Sequence, residues 1–443
     1  MHMIAEPRAA VLDTPSLLER SEALRDEHAW LWATTQEELP VIGPAVGARR
    51  HWVNARAASR LIDELSAEVG RVPNGEEARR LWQDTVRERL QRFGDARLGW
   101  PTGYRRLLFG DAFFAASKAF ARQARAFDPQ ISVDSLFQAL RNVWIGNSLQ
   151  MLLDLPVVLN PGLFAYSMLY PLTDNLLDDA VVTGAAKRAF NERLRRRLAG
   201  LSVAPIDSRD EAVFGMVGRI EQEFPRSTFA DVYDSLLAIH GGQVRSLDQH
   251  DSPVLTGADL LTISCEKGGS SVLADLYVVA GRATPAQEHF AFGYGVFLQL
   301  LDDLQDVERD SAAGHETLFT RAGRRGPLDG LTARLARFID RVLDRPRFEA
   351  GRFADHKDLI RRNCMTLLVG AVAEQPRRFT RGFRRTLASQ WPFSVRAMRR
   401  LRRRAARRYG EATNVLERRT GATSVLDWLL AQSAPEGAHS PVQ

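Results

Sequence analysis

The segment FLQLLDDLQDVERD, residues Phe297 to Asp310, places several aspartates directly behind an apolar run. It contains no Gly or Pro and is therefore predicted to be helical, which puts Asp302, Asp306 and Asp310 four residues apart on one face. Like charges stacked in this way repel one another, and the repulsion grows where water is excluded. The segment therefore predicts a bound cation, with a solvated helix face that carries scattered acids as the alternative.

A second acidic segment lies far upstream. The sequence YPLTDNLLDDAV, residues 170–181, carries Asp174, Asn175, Asp178 and Asp179 after another apolar run. Two such faces could meet across a cavity, where Mg²⁺ would be bound by one or two carboxylates and by the phosphate oxygens of a substrate. The two segments together therefore predict a site for a metal-bound diphosphate.

The composition favours a soluble protein. With 443 residues, 45% of them hydrophobic, the chain can form one large domain with extensions or about two or three smaller ones. Its two cysteines are too few for a disulfide framework. We find no signal-peptide pattern, and no apolar stretch reaches the roughly 18 residues that suggest a membrane span. We expect a cytoplasmic location.

The formal net charge of +6 is concentrated near the C-terminus, since residues 377–408 contain many arginines and no acid. Basic clusters suit nucleic acids, anionic lipids and phosphate ligands alike. We interpret this one as a solvated or lipid-facing helical surface. Peripheral membrane association is therefore left open, and no nucleic-acid partner is expected.

The chain is predicted to be all-α, because apolar helical patterns follow one another and strand patterns are scarce. We divide it into an N-terminal helical extension (1–100), a catalytic core (101–372) and an Arg-rich C-terminal helical segment with a disordered tail (373–443). Residues 94–110 are interpreted as a break and residues 311–326 as a loop. Within the core, helices are predicted over residues 132–155, 162–182, 207–224 and 228–238, and another from Thr256 or Asp259.

That last helix contains Gly268 and Gly269 at its centre, where each glycine costs about 1 kcal/mol relative to alanine. A bend, the close approach of a ligand and close helix packing are three explanations that the sequence leaves open.

Basic residues near the acidic segments are candidate ligands for a diphosphate, whose outer oxygens need cationic hydrogen-bond donors. Alternatively, these basic residues are ordinary surface charges or form ion pairs between helices. The candidates are Arg245 in HGGQVRSLDQH, Lys267 in CEKGGSS, Arg309 and Arg321.

Over residues 132–325 the sequence resembles the class I isoprenoid synthase superfamily. The segment GYGVFLQLLDDLQD, Gly293 to Asp306, is similar to the second aspartate-rich motif of the trans-prenyltransferases. HGGQVRSLD resembles the Gly-Gln segment of that family, and EKGGS resembles its Lys-Thr segment with Gly268 in place of Thr.

The resemblance implies a barrel of antiparallel helices around an apolar cavity, often in a homodimer, with three Mg²⁺ ions and a prenyl diphosphate at its mouth. Asp174, Asp178, Asp302 and Asp306 would be catalytic. The implied metal ligands are Asp174, Asn175, Asp178, Asp302, Asp303, Asp306 and Asp310.

Departures from the chain-elongating pattern favour one branch of the superfamily. Asn175 replaces the second Asp of the first motif, Thr183-Gly184-Ala185 replaces an Arg-Arg-Gly, and RNVWIGNSLQ (residues 141–150) stands where a Gly-Lys-Arg segment binds the second substrate. The first motif instead resembles that of bacterial large terpene synthases of the tetraprenyl-curcumene type.

We therefore expect a Mg²⁺-dependent terpene synthase that ionises one linear prenyl diphosphate, cyclises the carbocation and releases diphosphate. Two alternatives remain. The chain could be a prenyltransferase, either elongating or head-to-head, or a non-catalytic prenyl-lipid-binding protein with the same fold.

Overall fold

The computed structural model of the chain contains α-helices and no strand in the residues that it describes, which confirms the all-α prediction. These residues are 15–69, 71, 73, 76–100, 110–178, 182–251, 255–344 and 354–420.

The longer helices fall into three consecutive groups, and two short helical turns, Asp248–Asp251 and Pro376–Arg378, lie between them. The first comprises α1 (Leu17–Ala33), α2 (Ala48–Val69) and α3 (Glu76–Phe93), followed by a π-helical turn, Gly94–Leu98. The second comprises α4 (Asp111–Phe127), α5 (Val133–Leu152), α6 (Pro161–Asp178), α7 (Gly184–Leu198), α8 (Ser208–Glu223), α9 (Ala230–Ser246), α10 (Gly257–Ala280) and α11 (Pro285–Gln305). The third comprises α12 (Val307–Ala313), α13 (Leu318–Arg325), α14 (Asp329–Leu343), α15 (Ala354–Glu374), α16 (Arg381–Ser389) and α17 (Val395–Thr420).

Several predicted helix starts are confirmed, because each depends on a local capping hydrogen bond. The side chains of Ser132, Asp207 and Thr256 each accept a backbone N–H from the first turn of α5, α8 and α10. The predicted end of α9 was wrong, since that helix continues past Ala238 to Ser246. The predicted disordered tail lies outside the described residues.

The prediction of a loop over residues 311–326 was wrong for most of its length, since residues 311–313 end α12 and residues 318–325 form α13. Gly314, with φ +73°, forms the turn that ends α12, but α13 follows directly. Thr317 caps α13, because its Oγ1 accepts the backbone N–H of Thr320 at 3.1 Å. A cap of this kind was overlooked in the sequence.

The centre of the fold is the pair α10 and α11, which pack closely along their lengths, while α1, α5, α6 and α9 also contact α10. Gly268, Gly269 and Gly295 make the approach possible. A Cβ atom on Gly295 would lie 2.1 Å from the Gly268 carbonyl oxygen, and one on Gly269 would lie 2.2 Å from the ring of Phe292. Helix α10 runs unbroken through its glycines. Of the three explanations for them, the structure shows close helix packing.

Helix α1 is fastened to this centre through Arg20. Its guanidinium donates to both carboxylate oxygens of Glu288, at 3.3 and 3.0 Å, and to Asp231 at 3.0 Å. The Tyr277 hydroxyl donates to Glu288 at 2.6 Å. Glu288 is only 3% exposed, so its charge depends on these two donors for compensation.

Replacing Arg20 by methionine is expected to lower the free energy of unfolding by about 2 kcal/mol, because the buried carboxylate of Glu288 loses its cation. The loss is smaller than for a fully buried ion pair, since Arg20 is partly exposed. Urea denaturation measures the change. The matched control is Arg25→Met on the same helix, which removes a pair with the exposed Asp26. Equal losses in both variants would contradict a special role for Arg20.

Helices α2 and α17 form a second, parallel pair at the periphery. Asp63 on α2 accepts hydrogen bonds from Arg404 at 3.0 Å and Arg408 at 2.9 Å, and these cations lower the pKa of its carboxyl. At the other end, the Asn54 amide donates to the Pro392 carbonyl at 2.9 Å, just before α17 begins. Contacts between the two helices thus join the N-terminal and C-terminal parts of the chain.

Candidate active site

The acidic segment that ends α11 is helical, as predicted, with one interruption. Asp306, at φ −99° and ψ 8°, links α11 to α12. The backbone N–H of Asp306 still donates to the Asp302 carbonyl at 2.9 Å, and that of Asp310 to the Asp306 carbonyl at 2.8 Å. The three aspartates therefore remain on successive turns, and we call them the acidic row.

The pKa of the Asp306 carboxyl reflects repulsion within the acidic row. Burial raises the pKa of this carboxyl, and the neighbouring charges of Asp302 and Asp310 raise it further. Arg309 acts in the opposite direction and donates to Asp306 at 2.5 Å. Asp302 is half-buried and forms no ion pair or hydrogen bond through its carboxylate with any described residue. The row thus contains one carboxylate that is ready to accept a cation.

Asp303 has a different environment from its neighbour. It is buried between α10 and α11, where it accepts hydrogen bonds from Gln299 at 2.9 Å and Ser264 at 3.1 Å. Burial raises its pKa to about 7. With both oxygens bonded, Asp303 holds the end of α11 against α10. Its role as a metal ligand stays a prediction.

Asp310 is buried and close to the turn that follows α12. One carboxylate oxygen lies 3.6 Å from Nδ1 of His315, and the His315 backbone N–H donates to the Asp310 carbonyl at 2.9 Å. Asp310 is therefore the member of the acidic row that is most involved in local structure.

Three of the four predicted diphosphate ligands are paired with acids of the chain itself. Arg245 donates to Glu266 at 3.0 Å, Arg321 to Glu316 at 3.0 Å, and Arg309 to Asp306. Each would have to exchange a carboxylate for a phosphate. Lys267 differs, because it is half-buried on α10, forms no ion pair with a described residue, and its charge lowers the pKa of Asp303.

One cation near the acidic row was overlooked in the sequence. Arg141, exposed near the middle of α5, lowers the pKa of Asp306 by its charge. It belongs to RNVWIGNSLQ, the segment that stands where chain-elongating enzymes carry basic residues. That position was the available signal, although the full basic motif is missing.

The first acidic segment lies at the end of α6. The backbones of Asp174, Asn175 and Asp178 belong to this helix, while their side chains, and Asp179 as a whole, lie outside the described residues. Helices α6 and α11 both pack against α10, the helix that carries Lys267. The fold thus brings the helices of the two acidic segments to a common neighbour.

The Gly-Gln segment, which begins at His240, contributes to packing beside Lys267. A Cβ atom on Gly242 would lie 3.0 Å from the backbone N and Cα of Lys267, so this glycine lets α9 approach α10 there. His240 itself is only 6% exposed, and burial lowers its pKa to about 4.

Replacing His240 by glutamine is expected to reduce the sensitivity of the fold to acid. In the unfolded chain a histidine binds a proton below about pH 6.5, whereas His240 in the folded protein does so only near pH 4. Stability contributed by the neutral ring is therefore complete above pH 6.5 and is lost as pH falls, by about 2 kcal/mol at pH 5. Urea denaturation at pH 8 and pH 5 measures the difference. An unchanged acid-dependent loss in the variant would contradict the assignment.

The donor chemistry of the acidic row suits Mg²⁺, although no three His, Cys, Asp or Glu side chains in the described part of the chain are grouped to hold an ion by themselves. Mg²⁺ commonly takes only one or two protein carboxylates and completes its shell with water and phosphate oxygens. Asp302, and Asp306 once Arg309 has moved, fit that role.

Comparisons with known proteins gave no family model, no curated protein and no solved structure that matches this chain.

Proposed function

We propose that the chain is a Mg²⁺-dependent class I terpene synthase that ionises one linear prenyl diphosphate, cyclises the carbocation and releases diphosphate. The observation that supports this best is the acidic row at the end of α11 and in α12, where Asp302 has no cationic partner among the described residues. The charge of Lys267 on α10 acts on the adjacent Asp303. The resemblance of the sequence motifs supports the same reaction.

In this proposal Mg²⁺ supplies Lewis-acid stabilisation of the leaving diphosphate. Asp302 and Asp306 would hold the ions from the end of α11, and Asp174, Asn175 and Asp178 would hold them from α6. Lys267 binds the outer diphosphate oxygens, as do Arg245, Arg309 and Arg321 once they exchange partners. The allylic C–O bond breaks with both electrons passing to the diphosphate oxygen, and the carbocation closes a ring before it loses a proton or takes up water.

The test is incubation of the full chain with single substrates, namely geranyl, farnesyl, geranylgeranyl and geranylfarnesyl diphosphate, in Mg²⁺ and in EDTA. Diphosphate release and extractable hydrocarbons are measured. We expect one substrate alone to give a cyclic product in Mg²⁺ and none in EDTA. Binding of a prenyl diphosphate without its cleavage would instead support the non-catalytic alternative.

Chain elongation is the second candidate, and Arg141 is the observation that favours it. Its charge acts on Asp306 from the segment where a second, homoallylic diphosphate would bind. This function predicts turnover only after isopentenyl diphosphate is added, and a longer linear product. Adding that compound to the same incubations separates the two candidates.

The proposal includes no nucleic-acid partner, and it leaves a homodimer open. Molar mass from light scattering of the purified chain decides between a monomer and a dimer.

A further inference from the structure

Helix α17 carries a row of exposed arginines on the side that faces away from the protein. These side chains follow one another at spacings of three, one, three and four residues, so they share one face over about three turns, or about 16 Å. We call them the arginine row: Arg396, Arg399, Arg400, Arg403 and Arg407.

The opposite face of α17 packs against the rest of the protein. Arg404 and Arg408 bind Asp63, and Arg402, at the edge, donates to Glu374 at 2.7 Å. Ala397 and Ala412 are buried on the same side. The helix is thus fixed in one rotation about its axis, and the arginine row must point outward.

The charge of the arginine row is largely uncompensated. Arg407 lies 3.7 Å from Glu411, an exposed pair that is worth little. The other four form no ion pair with any residue in the described ranges. Adjacent like charges on a helix repel one another, so an anionic partner would stabilise this face.

An exposed tryptophan lies near the start of α17. Trp52 is 61% exposed, and its neighbour His51 bonds through Nε2 to the carbonyls of Ala388 and Trp391, both at 3.0 Å, just before α17 begins. A tryptophan beside arginines is typical of proteins that contact lipid headgroups, where its ring enters the interface.

Further arginines extend the positive surface at this end of α17. Arg49 and Arg50 are exposed at the start of α2 and, with Arg97, line an open depression of about 420 Å³. Arg381 and Arg385 are exposed on the preceding helix, α16.

We propose that the arginine row docks the protein on an anionic lipid surface, with Trp52 at the headgroup level. A convex row of charges suits a plane of mobile headgroups, and each basic residue adds about 1 kcal/mol, or roughly fivefold, to binding. No helix in the described ranges is both long and apolar enough to cross a membrane, so contact would be at the surface.

A polynucleotide fits the same surface less well. Binding of single strands uses several aromatic side chains on which bases stack, and residues 396–407 include no aromatic residue.

The test is sedimentation of the full chain with vesicles of phosphatidylcholine, alone or mixed with phosphatidylglycerol. The variant Arg399→Gln/Arg400→Gln/Arg403→Gln is expected to partition roughly a hundredfold more weakly to the anionic vesicles than the wild type. The wild type should bind neutral vesicles weakly.

The matched control removes the same charge elsewhere on the surface: Arg122→Gln/Arg196→Gln/Arg209→Gln, all exposed on α4, α7 and α8. We expect it to bind within about twofold of the wild type, and thermal melting checks that both variants are folded. Equal losses in both would show that only net charge matters and would overturn the proposal. So would equal binding to neutral vesicles, or tighter binding to a polynucleotide than to anionic vesicles at the same salt.

Discussion

Replacing Asp302 by asparagine is expected to lower kcat/KM for diphosphate release at least a thousandfold, or about 4 kcal/mol in transition-state stabilisation. Asp302 is the acid of the row that has no cationic partner in the described part of the chain. The amide keeps the size of the side chain and one oxygen, but it removes the negative charge that attracts Mg²⁺. Initial rates on the substrate identified by the incubations measure the effect.

The fold of this variant should be unaffected. Asp302 is half-buried, and its charge raises the pKa of Asp306 by repulsion, so neutralising it relieves a small strain. The midpoint of thermal unfolding is expected to equal that of the wild type or to rise slightly.

The role of Asp302 in metal binding can also be tested without measuring turnover. In the wild type, Mg²⁺ together with inorganic diphosphate should raise the temperature of unfolding, because the ligands bind only the folded state. In Asp302→Asn this increase should be much smaller.

The control is Glu308→Gln, which removes an exposed acid on α12 that lies outside the acidic row. Its rate should stay within about twofold of the wild type. If Asp302→Asn and Glu308→Gln are equally active, the acidic row is a solvated helix face and the proposed metal site is wrong.

Local signals in the sequence predicted much of the fold, whereas contacts between distant segments were not predictable. Capping residues such as Ser132 and Asp207 mark helix starts, because the hydrogen bond that they accept comes from within three residues. The Arg20 to Glu288 contact joins residues 268 positions apart in the chain, and neither carries a local signal for its partner. The pairing of Asp63 with Arg404 is of the same kind.

In the candidate site, too, local features were predictable from the sequence and contacts between distant segments were not. The spacing of Asp302, Asp306 and Asp310 predicted the acidic row, since helical periodicity alone sets it. The pairing of Arg245 with Glu266 was not predictable, because the two residues meet only through the packing of α9 against α10. The pairing of Arg321 with Glu316 is local, since these residues are five positions apart in the chain. Spacing therefore indicates which groups share a face, and tertiary packing decides which of them are free to bind.

Replacing Gly295 by alanine is expected to lower the free energy of unfolding by more than about 3 kcal/mol. The added Cβ would lie 2.1 Å from the carbonyl oxygen and 2.9 Å from the carbonyl carbon of Gly268. Both obstacles are backbone atoms of a helix, which cannot rotate away as a side chain can. Helices α10 and α11 would have to separate, and the separation would disturb Asp303, which is bonded to Ser264 across the same interface. Urea denaturation measures the loss.

The matched control is Gly215→Ala on α8, where the new Cβ meets nothing within 4 Å. Alanine is the better helix former, so this variant should gain up to about 1 kcal/mol of stability. Opposite signs for the same substitution in two helices would separate packing from helix propensity. A stable, fully active Gly295→Ala protein would mean that α10 and α11 are further apart in solution, and that the glycines leave space for a ligand rather than for each other.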